Sequence, residues 1–476
     1  MRARYQRLSP ADRMHLILED AGTPTHIGAL LMLEGPPLLD AAGKPRLEEF
    51  RRRLGRRVGQ EPSLRKVLYR PGPLQGPPLW VDDAAFSIDR HILHAEVPAP
   101  GGEEQLLALT EKLFSRTLER SKPLWEFWFL TGLESGRLAA LVKLHHSFAD
   151  GQTALRIFSA LFQLEPDAAD PEEVPWTPLP PPGRWQLFVD NLAAKGAGLV
   201  RTVKRLAHPV ALARAAVSNG RAMVRNLRES MGAPRTSLNA PIGAGRRLDV
   251  LRMGLAEARD IAHARGARIN DVMLALVAGG ARELLLHRGE PVEGVSIIAS
   301  VAVSLRPAAE TGGQLGNRTA PIFVPLPLDR PDPGACLEAI TASTRALKKK
   351  ELAAGVEHAI TWMSLSGLVR RIVRRQHMVS IFESDVVGPP VPLFVLGARI
   401  LDVALTLNIV GNVGLSFGIL SYAGRLNLSV CADAEHFPDL RILMAGMKRS
   451  WEQLSRHHEP AHPLRPGLES PGIAGP

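Results

Sequence analysis

The chain has 476 residues, 45% hydrophobic and 22% charged, and single cores stop growing near about 250–300 residues, so two domains are expected. Its formal charge of +10 favours anionic surroundings without naming a partner, and with aromatics at only 5% and not interleaved among basic residues, nucleic acid is disfavoured. The two cysteines, Cys336 and Cys431, supply neither a disulfide framework nor a zinc-spaced cluster, and "MRARYQRLSPADRMHLILED" lacks the continuous apolar core of a secretory signal, so a cytoplasmic protein is expected.

In chain order, residues 26–35 read as a strand, 41–60 as a basic helix and 103–121 as an amphipathic helix with Leu106, Leu109 and Leu113 on one face. Residues 137–144, "RLAALVKL", read as a strand that runs into "LHHSFADGQT", and 151–164 as a helix leaving it. The prolines of "EPDAADPEEVPWTPLPPPG" (165–183) prevent a regular element and mark a domain boundary. Beyond it, 184–228 read as basic and helical, 233–247 as loop, and 257–289 as two helices broken at Gly266. Strands are expected at 294–305 and 320–328, a helical stretch at 335–376 and a strand-rich region at 391–432. The division that follows is a first domain over 1–180, a connector over 181–245, a second domain over 246–455 and a disordered tail over 456–476. Residues 403–424 carry no charge, yet their asparagines, glycines and β-branched residues suit buried strands better than a membrane span.

The densest chemistry is His145, His146, Asp150 and Gly151. If the strand runs into the histidines, their side chains point to opposite faces, so one can serve a given cavity while the other supports it. A neutral imidazole is suited to taking a proton from a hydroxyl or thiol near neutral pH. Asp150 can orient backbone, pair with an arginine or cap the next helix, and Gly151 permits backbone angles that other residues resist. Metal binding is disfavoured, because no third ligand accompanies the histidines and "HEPAH" (458–462) places proline where the zinc motif needs a helix. "GLSFG" (414–418) matches a nucleophile elbow with Ser416 as nucleophile, but a strand follows it where a helix is required, and Asp433 and His436 stand too close together for the usual spacing.

Residues 184–228 hold nine Lys or Arg against one acid, Asp190. At helical spacing Phe188, Leu192, Leu199, Val203 and Leu206 line one stripe, with Arg201, Lys204 and Arg205 on the other side; Pro209 interrupts, and Arg214, Arg221, Arg225 and Arg228 then cluster opposite Leu212, Met223 and Leu227. That pattern fits either an interfacial helix or an ordinary surface helix with a solvated basic face.

Blocks at 8–28 (LSPADRMHLILEDAGTPTHIG), 121–151 (SKPLWEFWFLTGLESGRLAALVKLHHSFADG), 237–247, 269–280 (INDVMLALVAGG), 304–327 and 384–400 together resemble the bacterial wax ester synthase/diacylglycerol acyltransferases. The HHxxxDG motif alone is shared with chloramphenicol acetyltransferases and peptide-synthetase condensation domains; its company of Pro123-Leu124-Trp125, Asn270-Asp271 and Gly316-Asn317 is more specific. The resemblance implies an α/β fold of two chloramphenicol-acetyltransferase-like sandwich domains joined by a helical connector, with the active site where a tunnel passes between them. It implies transfer of a fatty acyl group from acyl-CoA to a long-chain alcohol or diacylglycerol. His146 is then the general base, His145 its support, Asp150 a structural member paired with Arg306, and Asn270 either near the reacting centre or a helix cap. Pro123, Leu124, Trp125, Gly151, Asp271 and Asn317 enter as binding or supporting residues. Acyl-CoA is a co-substrate, so no cofactor is expected. Insoluble substrates and the basic helices imply peripheral association with the inner membrane face or with lipid inclusions. Where the family has SNVPGP this chain has "SDVVGP", so Asp385 and Val387 depart from it in the half expected to shape the acceptor tunnel.

Overall fold

The computed structural model describes residues 5–20, 23–148, 157–158, 161–206, 235–304, 319–349 and 374–456. Its first part runs β1 (Gln6–Arg7), α1 (Pro10–Asp20), β2 (His26–Leu33), α2 (Leu47–Gln60), β3 (Lys66–Tyr69), β4 (Leu79–Asp82), β5 (Ile92–Glu96), α3 (Glu103–Phe114), β6 (Trp125–Thr131) and β7 (Leu138–His145). Residues 165–183 form neither helix nor strand, and α4 (Arg184–Leu206) follows them. The second part runs β8 (Arg246–Gly254), α5 (Leu255–Ala264), α6 (Ile269–His287), β9 (Ser296–Ser304), β10 (Thr319–Pro327), α7 (Pro333–Lys349), β11 (Ile381–Val387), β12 (Phe394–Val395), β13 (Ala398–Thr406), β14 (Leu415–Tyr422), β15 (Arg425–Asp433) and α8 (Leu440–Arg456).

Two six-stranded sheets carry the core. The first has the order β12-β13-β2-β7-β6-β5, antiparallel except between β5 and β6. Its central strand β7 is buried along its whole length, because Phe50, Leu54 and Val58 of α2 pack with one face and Leu106 and Leu113 of α3 with the other. Burial on both faces is why "LAALVKLH" runs apolar without alternation. Gly28 of β2 admits no side chain: a Cβ there would lie 2.1 Å from the Val142 carbonyl oxygen and 2.9 Å from Thr406 Oγ1.

The second sheet has the order β10-β9-β11-β14-β15-β8, with β11 parallel to both of its neighbours. The helix α6 is buried from Asp271 to Leu285 at nearly every position, so its apolar residues are not confined to one stripe. It meets α8 at glycines, where a Cβ on Gly280 would stand 2.7 Å from the Leu443 carbonyl oxygen.

Sheet membership departs from the sequence division at β12 and β13. These strands fall inside 246–455, yet β13 pairs with β2 and completes the first sheet. Without it β2 would present an edge of unpaired N–H and C=O groups. The halves also meet through Arg252 of β8, whose guanidinium lies 2.6 Å from Glu103 of α3 and 2.7 Å from Asp402 of β13, and through Glu111, which accepts the Leu248 N–H at 2.8 Å.

The break expected at Gly266 is present, with a φ of 57° between α5 and α6. The basic helix begins at Leu47 rather than 41, and α7 reaches Lys349, the rest of 335–376 being mostly outside the described residues. Most of 151–164, and the tail from 457, lie outside them as well. The uncharged stretch 403–424 forms the end of β13 and all of β14, and no helix among the described residues is long and apolar enough to cross a membrane.

Candidate active site

Strand β7 ends on His145, directly across from His26 of β2, and the chain turns at His146. The register puts Lys143 and His145 on the face that meets α3. The Lys143 ammonium donates to the Leu113 carbonyl at 2.9 Å and to that of Arg116, satisfying acceptors left open where α3 ends. Burial pushes Lys143 down to about 8, against the opposing pull of Glu126 and Glu19.

His145 has no solvent exposure, and both ring nitrogens are engaged. Its Nδ1 accepts the Ser147 backbone N–H at 3.1 Å and lies 2.6 Å from the Ser147 hydroxyl. A backbone N–H can only donate, so Nδ1 carries no proton and Nε2 carries it. Nε2 lies 3.0 Å from Thr25 Oγ1 and 3.4 Å from Glu19 Oε2, while the Thr25 hydroxyl donates to the His15 carbonyl at 3.2 Å. Glu19 of α1 gathers these groups, with the Arg120 guanidinium at 2.7 Å and His26 Nε2 at 3.1 Å. Burial opposes the Glu19 charge, but hydrogen bonds from His145, His26 and Arg120 outweigh it and hold the carboxyl far below the usual carboxylate range.

His146 is placed differently. Its backbone N–H donates to the Thr25 carbonyl at 2.9 Å, and its half-buried ring stacks on His15 of α1 with centroids 4.0 Å apart and planes 8° from parallel. Strand β7 ends at His145, so the alternation expected of two histidines within a strand does not extend to His146, which is placed by the turn and by His15. Burial, and after it the rings of His146 and His145, hold His15 well below the usual histidine value.

The other predicted residues separate into three groups. Leu124 and Trp125 are buried: the Leu124 carbonyl accepts the His145 N–H at 3.0 Å, and the Trp125 indole donates to the Leu64 carbonyl at 2.7 Å and stacks on His91 at 4.3 Å. With Pro123, whose carbonyl accepts the Trp125 N–H at 2.9 Å, they fix the register beside the histidines. Asp271 is the carboxylate at the start of α6, accepting the Arg268 N–H and the Thr344 hydroxyl, each at 2.9 Å. Asn270 is therefore free of capping duty, and its side chain interacts with Glu383, which burial and then the Asp385 charge push up to about 8. Asp150, Gly151, Arg306 and Asn317 lie outside the described residues.

Ser416 sits within β14 with no exposure and donates weakly to the Cys431 carbonyl at 3.5 Å, so it is not on a strand-to-helix elbow. His436 and Asp433 do pair, at 2.7 Å, but Asp433 also accepts the Gly243 N–H and serves the loop ahead of β8. Among the described residues no group of three His, Cys, Asp or Glu is arranged to hold a metal ion. His15, Glu19, Thr25 and Ser147 were not singled out by the sequence; the first three lie in the 8–28 block, some 120 residues from the histidines they meet.

A model of the wax ester synthase/diacylglycerol acyltransferase catalytic domain matches residues 8–273, and one of the WS/DGAT C-terminal domain matches residues 315–455. The chain belongs to the wax ester synthase/diacylglycerol acyltransferase family. It is an acyl-CoA-dependent acyltransferase of the wax ester synthase/diacylglycerol acyltransferase type. Relatives named as diacylglycerol O-acyltransferases include one from Mycobacterium tuberculosis strain H37Rv, 29% identical over 463 residues that cover 94% of this chain and 97% of that one. Another, from Mycobacterium bovis, is 29% identical over 460 residues, with 94% and 98% covered. The wax ester synthase/diacylglycerol acyltransferase structure from Marinobacter aquaeolei VT8 superposes with a TM-score of 0.66 at 21% identity, covering 95% of this chain and 99% of that one. The first condensation domain of the CDA synthetase gives 0.57 at 14% identity, with 96% and 98% covered. At those identities the structural likeness concerns the two-domain α/β fold, and membership of the wax ester synthase/diacylglycerol acyltransferase family rests on the sequence models.

Proposed function

We propose that this acyltransferase works by direct transfer, with His146 as the general base and His145 as the group that holds it in place. The observation that carries this reading is the unequal state of two adjacent imidazoles. Both nitrogens of His145 are committed inside the protein, so it cannot take up a substrate proton, whereas the His146 ring leaves the sheet and keeps solvent contact. His146 takes the proton of the acceptor hydroxyl, and the oxygen attacks the thioester carbonyl carbon. The C–O bond forms, the C–S bond breaks, and the departing CoA thiolate recovers the proton from His146. The step balances with acyl-CoA as co-substrate and calls for no cofactor. Asn270 is assigned to the neighbourhood of the reacting centre, Asp150 with Arg306 to support of the motif loop, and Gly151 and Asn317 to the same supporting role. Direct attack predicts that protein incubated with palmitoyl-CoA and no alcohol keeps its unmodified mass. A palmitoyl adduct on the protein by mass spectrometry would instead establish a covalent intermediate.

We further assign α4 to docking on an anionic lipid surface, at the inner membrane face or on lipid inclusions. An ordinary surface helix turns its apolar residues inward, whereas α4 turns Leu187 inward and leaves Trp185, Val189, Leu192 and Val200 exposed. Asn191 donates to the Leu74 carbonyl at 2.7 Å, Tyr5 bonds Asp190, and Leu187 is buried, while Trp185, Leu192 and Val200 are 75%, 60% and 54% exposed. Phe188 stacks on Trp185 at 5.5 Å and widens the exposed patch. The four arginines from Arg214 to Arg228 lie outside the described residues. Binding to vesicles containing anionic lipid should weaken with added salt, and a Trp185→Ser/Leu192→Asp variant should bind on the order of tenfold less tightly. Equal binding by wild type and this variant would remove α4 from the account.

A further inference from the structure

We propose that His15 is a positioning residue for His146, acting through the face of its ring. This rests on the reading of His146 as the base. The two imidazoles lie flat on one another, 4.0 Å between centroids and 8° from parallel, a separation at which ring faces are in contact. His15 is itself fixed, since it lies within α1 and its carbonyl accepts the Thr25 hydroxyl, the group that also bonds His145 Nε2. One short stretch of backbone therefore sets both histidines of the motif, His145 through Thr25 and His146 through the His15 ring.

The Nδ1 of His15 is buried and makes no hydrogen bond among the described residues, so the ring face is the part of this side chain that meets His146. Among the described residues His145 of β7 is the other charged group that acts on His15, and its own Nε2 is engaged by Thr25 and Glu19. Two positive rings at this spacing repel strongly in a poorly solvated place, so the stack takes one proton. Burial, and after it the charges of His146 and His145, disfavour a proton on His15, so the proton that His146 removes from an alcohol rests above a neutral ring. Losing that shelf loosens the ring that His15 helps to orient, and small misplacements of a base cost up to about 100-fold.

The test uses the full chain with palmitoyl-CoA and hexadecanol. His15→Ala should lower kcat by about 10- to 100-fold while KM for palmitoyl-CoA stays within about threefold, and His15→Phe, which keeps a flat ring and removes both nitrogens, should restore most of the loss. If His15→Ala matches wild type, or if His15→Phe is as impaired as His15→Ala while remaining folded by circular dichroism, the stacking role is overturned; the second result would give the nitrogens the role instead. His146→Ala separates this from the underlying reading. Should His146→Ala keep wild-type turnover, the base assignment falls with it; should it be inactive while His15→Ala is unaffected, the stack alone is wrong.

Discussion

Replacing His146 by Ala lowers kcat by about 10² to 10⁴, the range for loss of a general base, with KM for acyl-CoA little changed. The ring is half-buried and stacks on His15, a contact worth about 1 kcal/mol, so the expected cost to the fold is small beside the loss in kcat. Its backbone N–H still reaches the Thr25 carbonyl in the variant, which keeps the turn in place. Steady-state kinetics beside a urea unfolding curve check both halves of this expectation. A variant that loses activity and stability together would point to a packing role for the ring.

The second large effect falls on stability. Glu19→Leu removes the carboxylate shared by Arg120, His26 and His145, and breaking a buried pair by deleting one partner costs about 3–5 kcal/mol. The lower end is expected, because the Arg120 side chain is 28% exposed and can turn to water. Glu19→Gln keeps a carbonyl for the His145 Nε2–H and loses less. The pH dependence has a definite sign. The folded state holds this carboxyl charged to lower pH than the unfolded chain does, where its ordinary value is 4.5. The unfolded state therefore binds the extra proton as pH falls, so the contribution is complete above 4.5 and disappears below it. The difference in unfolding free energy between wild type and Glu19→Leu should shrink steadily on acidification from about pH 5. A difference that is constant with pH would assign the effect to packing.

Much of the first sheet was legible because its signals are local. "HIGALLMLEG" and "RLAALVKL" are too apolar to be anything but buried strands, and they became β2 and β7. Gly266 marked the break between α5 and α6 for the same reason. What could not be read is pairing at long range. The alternation in β13 shows that it is a strand, but nothing in it says that its partner is β2, more than 350 residues earlier, so the crossing of β12 and β13 into the first sheet came only with the fold.

The candidate site divides in the same way. His145 and His146 stood out as adjacent histidines ahead of an Asp-Gly pair, a local property. Their partners His15, Glu19 and Thr25 belong to α1 and the approach to β2, and spacing along the chain carries no trace of a contact across more than 100 residues. Asn270 and Asp271 show the limit from the other side. Either residue type can cap a helix, and only the hydrogen bond from the Arg268 N–H assigns that duty to Asp271, leaving Asn270 beside Glu383.

The most direct test of acyl transfer to an alcohol is thiol release from palmitoyl-CoA, followed with and without hexadecanol or dioleoylglycerol, with the ester product counted in parallel. The account predicts thiol release only when an acceptor is present, with one ester formed for each thiol freed. Thiol release at the same rate without acceptor, yielding free palmitate, would contradict it.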